Sequence, residues 1–271
     1  MFENGRLDDA LLALLRVHRS FVEIFGEQRA EATAGRHVIM LARCLAAQGR
    51  LKDALHLATR VTRTRQRLLG SKSSELAIPL AVMAEIKMRL ASKLHVDQMS
   101  AASQERLLVG ARQLLAHALE VAQGQLRLPE IMKMKGNAAD VLIALGKPRE
   151  AIALLDGALV DLVGDPSIYA LDDIKELRCV VPKASLDTEV SAVQGIALTD
   201  FLVLRAKASL QLGNSADAIV DAQRAASVAR RNIGEYVVPM SRALLVLSEA
   251  LSLAGQTVEA QRTSQAAQAC S

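Results

Sequence analysis

The sequence predicts an all-α fold of stacked helix pairs, and three observations carry that prediction. Ala and Leu supply 45 and 42 of the 271 residues, while aromatics make up 2% and Trp is absent. Strong helix formers therefore dominate, and the β-branched and aromatic residues that sheets favour are sparse. Glycines recur at regular intervals, and small residues recur at fixed offsets from them. A core of Ala and Leu suits closely packed helices, which argues against an all-β fold or a doubly wound sheet.

The recurring segment is Gly49-Arg-Leu-Lys-Asp-Ala54. Its relatives run from Gly5 to Ala10, Gly146 to Ala151, Gly213 to Ala218 and Gly255 to Ala260. Four and seven residues beyond the Ala stand Leu14 and Val17, Ala58 and Val61, Leu155 and Ala158, and Ala222 and Ala225; only Ser264, before Ala267, is polar. That spacing is one narrow helix stripe, small wherever a neighbouring helix must come close. A second glycine follows 21 residues after the first at Gly26, Gly70 and Gly234, and reads as a helix C-cap. The unit is thus helix, turn, helix and cap. Its length is 44 residues from Gly5 to Gly49 and 42 from Gly213 to Gly255.

The elements follow in order. A helix from about 7 to 25 comes after the turn at Gly5 as the second member of a pair. Its stripe of Leu7, Ala10, Leu11, Leu14, Phe21 and Phe25 packs on the next repeat. Leu12, Leu15 and Val22 lie off that stripe and stay partly uncovered, which points to a longer parent protein, a partner that supplies the missing first helix, or self-association at this end. The first complete pair turns at Gly49 and packs Cys44. The 97 residues from Gly49 to Gly146 hide a further unit, with Leu80, Ala84 and Leu90 in a helix over 73–91 and a stripe of Ala111, Leu115 and Ala118. Its inner turn carries an insertion near 92–105. The 67 residues from Gly146 to Gly213 hold one unit plus a second insertion near 165–189, including an amphipathic stretch from Leu171 to Arg178. Both insertions are expected to project. Pro79, Pro129, Pro148 and Pro239 fall at helix starts, where a missing N–H costs little, and Pro166 and Pro182 fall in the second insertion. The whole of 1–271 reads as one solenoid of about five pairs plus a leading helix.

These repeats resemble tetratricopeptide repeats. The Gly-to-Ala offset and the stripe beyond it match the second half of that motif. The longer unit, with Arg65-Gln-Arg-Leu-Leu-Gly70 and the run from Gly136 to Gly146, resembles the kinesin light chain subtype. The resemblance implies a right-handed α-solenoid with a concave groove and association with the cytoskeleton; a cytoplasmic location is expected from the cysteine usage, the polar start and the lack of an apolar run of membrane-span length. It also implies that the first helix of each pair lines the groove. Its offsets select Arg36 and Arg43, Glu85 and Arg89, Lys133, Asn137 and Asp140, Lys207 and Gln211, and Arg242 and Glu249. Basic members outnumber acidic ones, so the implied partner is an extended segment with acidic residues. Arg pairs bidentately with carboxylates, and Asn holds backbone amides.

Other chemistry finds little support. His18, His37, His56, His95 and His117 share no helix face at metal-ligand spacing, and His-Glu-x-x-His is absent. No phosphate-loop, dinucleotide or nucleophile-elbow motif occurs. Cys44, Cys179 and Cys270 are odd in number and far apart, which suggests free thiols in a reducing compartment. Net charge is +4, and aromatics for stacking bases are few, so nucleic acid is not an expected partner. Of Arg60, Arg63, Arg65 and Arg67, three share a solvated face and Arg65 points elsewhere. No apolar run spans a membrane, and the acidic, polar start does not read as a signal peptide. The expectation is a non-enzymatic scaffold or adaptor without cofactor or metal. The alternatives are a regulatory sensor module of a larger signalling or transcription protein, and a structural subunit of a large assembly.

Overall fold

The structure is a computed structural model that describes residues 4–26, 35–96, 100–122, 125–163, 188–232 and 237–270. The chain divides into two compact units, residues 1–127 and 128–271. The first holds α1 (Asn4–Phe25), α2 (Gly35–Ala47), α3 (Leu51–Leu69), a 3-10 turn (Ser74–Leu76), α4 (Ala77–Val96) and α5 (Ala101–Val121). The second holds α6 (Leu128–Ala144), α7 (Pro148–Val163), α8 (Thr188–Gln211), α9 (Ser215–Asn232), α10 (Val237–Leu253) and α11 (Thr257–Ala269). Among the described residues there is no strand, and the helices form five pairs after α1. No described helix is long and apolar enough to cross a membrane.

Four of the five turns are the same object. Gly49, Gly146, Gly213 and Gly255 have φ between 68° and 79°. At each, the next residue donates its N–H to a carbonyl five residues back: Arg50 to Leu45, Lys147 to Leu142, Asn214 to Ser209 and Gln256 to Leu251, all at 2.9 Å. The glycine N–H itself bonds three residues back, at 2.9–3.1 Å. This pair of bonds closes a helix end, and it needs a left-handed residue that only glycine adopts without strain.

The stripe beyond each turn is the core. Ala54, Ala58 and Val61 are fully buried, and so are Ala111, Leu115 and Ala118, Ala151, Leu155 and Ala158, and Ala218, Ala222 and Ala225. With methyl-sized residues at these contacts, adjacent helices approach closely at native packing density. Pro79, Pro129, Pro148 and Pro239 all lie within the first turn of their helices.

Three expectations change. Gly5 lies inside α1 rather than in a turn. Phe25, expected to pack, is 45% exposed, although its ring lies 5.7 Å from that of Phe21. The extra residues near 92–105 mainly lengthen helices: α4 runs to Val96 and α5 begins at Ala101. The Lys87 side chain of α4 lies over Gly110 of α5, where a Cβ would come within 2.6 Å of its Nζ. The second insertion, with Leu171–Arg178, Cys179, Pro166 and Pro182, lies almost wholly outside the described residues, as does Gly234. Cys44 is buried as expected.

Candidate partner-binding groove

In the second unit the first helices of successive pairs touch: α8 packs against both α6 and α10. Their shared side forms a cavity of about 590 Å³. Its floor is apolar. Met132, Phe201 and Val203 are buried there, and Ile196, Ala197 and Leu204 complete it. Gly136 lets α6 close on this floor, because a Cβ at 136 would stand 3.3 Å from Phe201 Cε1.

The rim is charged. Lys133, Asn137 and Asp140 line it from α6, Asp200 and Lys207 from α8, and Arg242 from α10. Their spacings of four and three residues on α6, and of seven on α8, keep each set on one helix face. Arg242 Nη1 lies 3.7 Å from Asp200 Oδ1. Burial pushes the Asp140 carboxyl above the usual carboxylate range, against the pull of Lys207 and Arg242. Burial does the same to Asp200, against Arg242 and Lys207. Desolvation thus outweighs the nearby cations at both carboxyls. Three cations face two carboxyls, which leaves the rim a single positive charge in excess when all are ionised.

A different face of α8 fixes its rotation. Arg205 Nε and Nη2 donate to both carboxylate oxygens of Asp221 at 2.8 and 2.6 Å, and Nη1 donates to Asp156 Oδ1 at 2.8 Å. One guanidinium therefore ties α8 to both α9 and α7. Burial works against its charge, but the two carboxylates hold its pKa above the ordinary arginine value. Such a fork-to-fork pair sets direction as well as distance. A single Lys135–Asp161 ion pair ties α6 to α7.

The residues selected from sequence separate into three groups. Lys133, Asn137, Asp140, Lys207 and Arg242 come together around the cavity. Gln211 and Glu249 are outside its lining. Gln211 Nε2 donates instead to the Ile143 carbonyl at 3.2 Å and ties the ends of α8 and α6 together, while Glu249 is exposed further along α10. In the first unit Arg36, Arg43 and Arg89 are exposed and Glu85 is half-buried. Arg65 does point away from its neighbours: its side chain is 6% exposed, and Nη1 donates to the Glu75 carbonyl at 2.8 Å. Burial lowers its pKa, Glu75 opposes that, and Arg36 adds a like-charge push.

The sequence offsets miss Asp200, the Phe201 floor and the Arg205 tie. A signal for Asp200 exists. It stands thirteen residues before Gly213, as Lys133 stands before Gly146 and Arg242 before Gly255. Among the described residues no three His, Cys, Asp or Glu side chains gather to hold a metal.

Comparison with solved structures gives the fold its name. The nearly identical TPR-like repeats of a kinesin light chain protein from Podosopora anserina match with a TM-score of 0.55, 18% identity, and coverage of 87% of this chain and 93% of that one. A single-substitution form of the same repeats matches with a TM-score of 0.56. BtubC (BKLC) from P. vanneervenii matches with a TM-score of 0.59 and 15% identity, covering 97% of this chain and 90% of that one. The fold is a tetratricopeptide-type helical repeat. It is similar in fold to the TPR-like repeats of these kinesin light chain structures. No protein-family model and no curated protein sequence matches this chain.

Proposed function

We propose that this protein is a non-enzymatic interaction scaffold whose second unit holds an extended segment of a partner protein. The observation that carries this reading is the convergence of Lys133, Lys207 and Arg242 with Asn137 above the Met132 and Phe201 floor. Such a surface takes a chain with an apolar side chain on the floor, a carboxylate at the cations and a backbone amide at Asn137. Asp140 and Asp200 favour a segment that is not uniformly acidic, since each repels a carboxylate placed directly against it. Helical repeats of this kind usually bind peptides on the faces of their first helices, which supports the reading at the level of fold. Association with the cytoskeleton follows from the likeness to kinesin light chain-like proteins and is part of the proposal.

The test is a peptide array of mixed acidic and apolar segments probed with the wild-type chain and with Lys207→Glu/Arg242→Glu. We expect the acidic segments that bind wild type to be lost by the variant. Equal binding of both proteins to the same segments would overturn the assignment.

A further inference from the structure

We propose that α1 is a self-association surface that pairs antiparallel with α1 of a second copy of this chain. Asp8, Leu12, Leu15 and Arg19 follow one another at spacings of four, three and four, so they form one stripe along a helix. All four are exposed, Leu12 by 54% and Leu15 by 44%. The stripe cannot simply rotate inward. Leu11 and Leu14 pack into the core beside α2 and α3, and the Phe21 ring lies 5.6 Å from that of His37 on α2. Asp8 is held at the edge of the stripe, where Oδ1 accepts from Gln48 Nε2 at 2.6 Å.

The order acid, leucine, leucine, base is what selects the occupant. A two-fold axis crossing α1 between residues 13 and 14 sets residue i level with residue 27 − i of the other copy. Leu12 then meets Leu15 of the second copy, Leu15 meets Leu12, and each Asp8 meets an Arg19. One axis satisfies all four contacts, as an isologous interface requires. Parallel pairing would instead place Asp8 against Asp8 and Arg19 against Arg19. The leucines form a dry centre and the two ion pairs a rim that fixes direction. One helix pair stands at the small end of specific interfaces, so the dimer is expected at concentrations on the order of 100 µM rather than at nanomolar ones. The surface is built on α1 and the groove on α6, α8 and α10, so either proposal can fail without the other.

Sedimentation velocity tests this on the full chain, with helical circular dichroism and melting recorded for each variant. Wild type should show a concentration-dependent monomer–dimer equilibrium, and Leu12→Lys should abolish it. Asp8→Arg alone and Arg19→Asp alone should each weaken the dimer by about tenfold or more, because each turns both rim pairs repulsive. Mixing these two variants in equal amounts should restore it, since a chain basic at both rim positions then faces a chain acidic at both. A wild type that stays monomeric at that concentration overturns the proposal. So does a dimer indifferent to both charge changes, or a mixture without rescue.

Discussion

The two units build the same first-helix face and fill it differently. Thirteen and six residues before the turn glycine, α2 presents Arg36 and Arg43, whereas α6 presents Lys133 and Asp140, and α8 presents Asp200 and Lys207. Arg36 and Arg43 stand in water. The residues of the second unit interleave in sign, face a common cavity and rest over Phe201. The repeat supplies equivalent positions, and the residues at those positions decide whether a face becomes a site. A single exposed cation is well solvated and gains little from a partner's charge. Lys133, Lys207 and Arg242 are exposed too, but they converge with two partly desolvated carboxyls over one apolar floor, so a bound segment meets several of them at once.

Substitutions in the two units probe this difference. The largest effect is expected from Arg205→Ala. It leaves Asp221, whose side chain is 6% exposed, without its partner, and removing one member of a buried pair costs roughly 3–5 kcal/mol. Because Arg205 retains some exposure, the lower end is expected, and the loss should appear in chemical denaturation of the second unit. Next comes overpacking. Ala54→Leu in the first unit and Ala151→Leu in the second both push a larger side chain into a fully buried contact, and each should cost ~1–3 kcal/mol. If both variants melt like wild type, the repeat register is wrong.

That register shows what a sequence of this kind makes legible. Left-handed glycines and methyl-sized contacts are imposed by backbone geometry and close packing, so they leave marks at fixed offsets. Gly146, Ala151, Leu155 and Ala158 are legible in the sequence alone. Gly5 misleads because the same Gly-to-Ala spacing also fits inside a continuous helix. The extra residues near 92–105 read as an inserted loop because a length difference alone does not distinguish a loop from two longer helices. In the groove, the offsets find Lys133, Asp140, Lys207 and Arg242 but leave out Asp200, which occupies the same offset. The Arg205 tie to Asp156 and Asp221 joins residues 49 and 16 positions apart and has no sequence spacing to betray it.

Smaller effects concern protons and space. Asp140 and Asp200 both have pKa values raised in the folded state, so the fold binds their protons more tightly than the unfolded chain does. Their contribution favours folding at low pH and is lost as pH rises through the raised values. Asp140→Asn should therefore flatten the fall in melting temperature across that window without lowering stability at neutral pH. The same variant should tighten binding of an acidic segment at neutral pH by a few-fold, on the order of 1 kcal/mol, and binding to wild type should strengthen as pH falls toward the carboxylate range. Gly136→Ala is expected to be the mildest. Its methyl must displace the Phe201 ring by a few tenths of an ångström, for a melting shift corresponding to about 1 kcal/mol or less.

If the charged face of the second unit, and not the equivalent face of the first, holds the partner segment, two matched charge reversals must differ in effect. They are Lys207→Glu/Arg242→Glu in the second unit and Arg36→Glu/Arg43→Glu in the first. Each changes net charge equally, and the affinity of one array-selected acidic segment is measured for both by fluorescence anisotropy at a single salt concentration. The predicted result is a loss of about tenfold or more for the Lys207/Arg242 variant and a change within about threefold for the Arg36/Arg43 variant. Equal losses from the two variants, or a larger loss from the first unit, would contradict it.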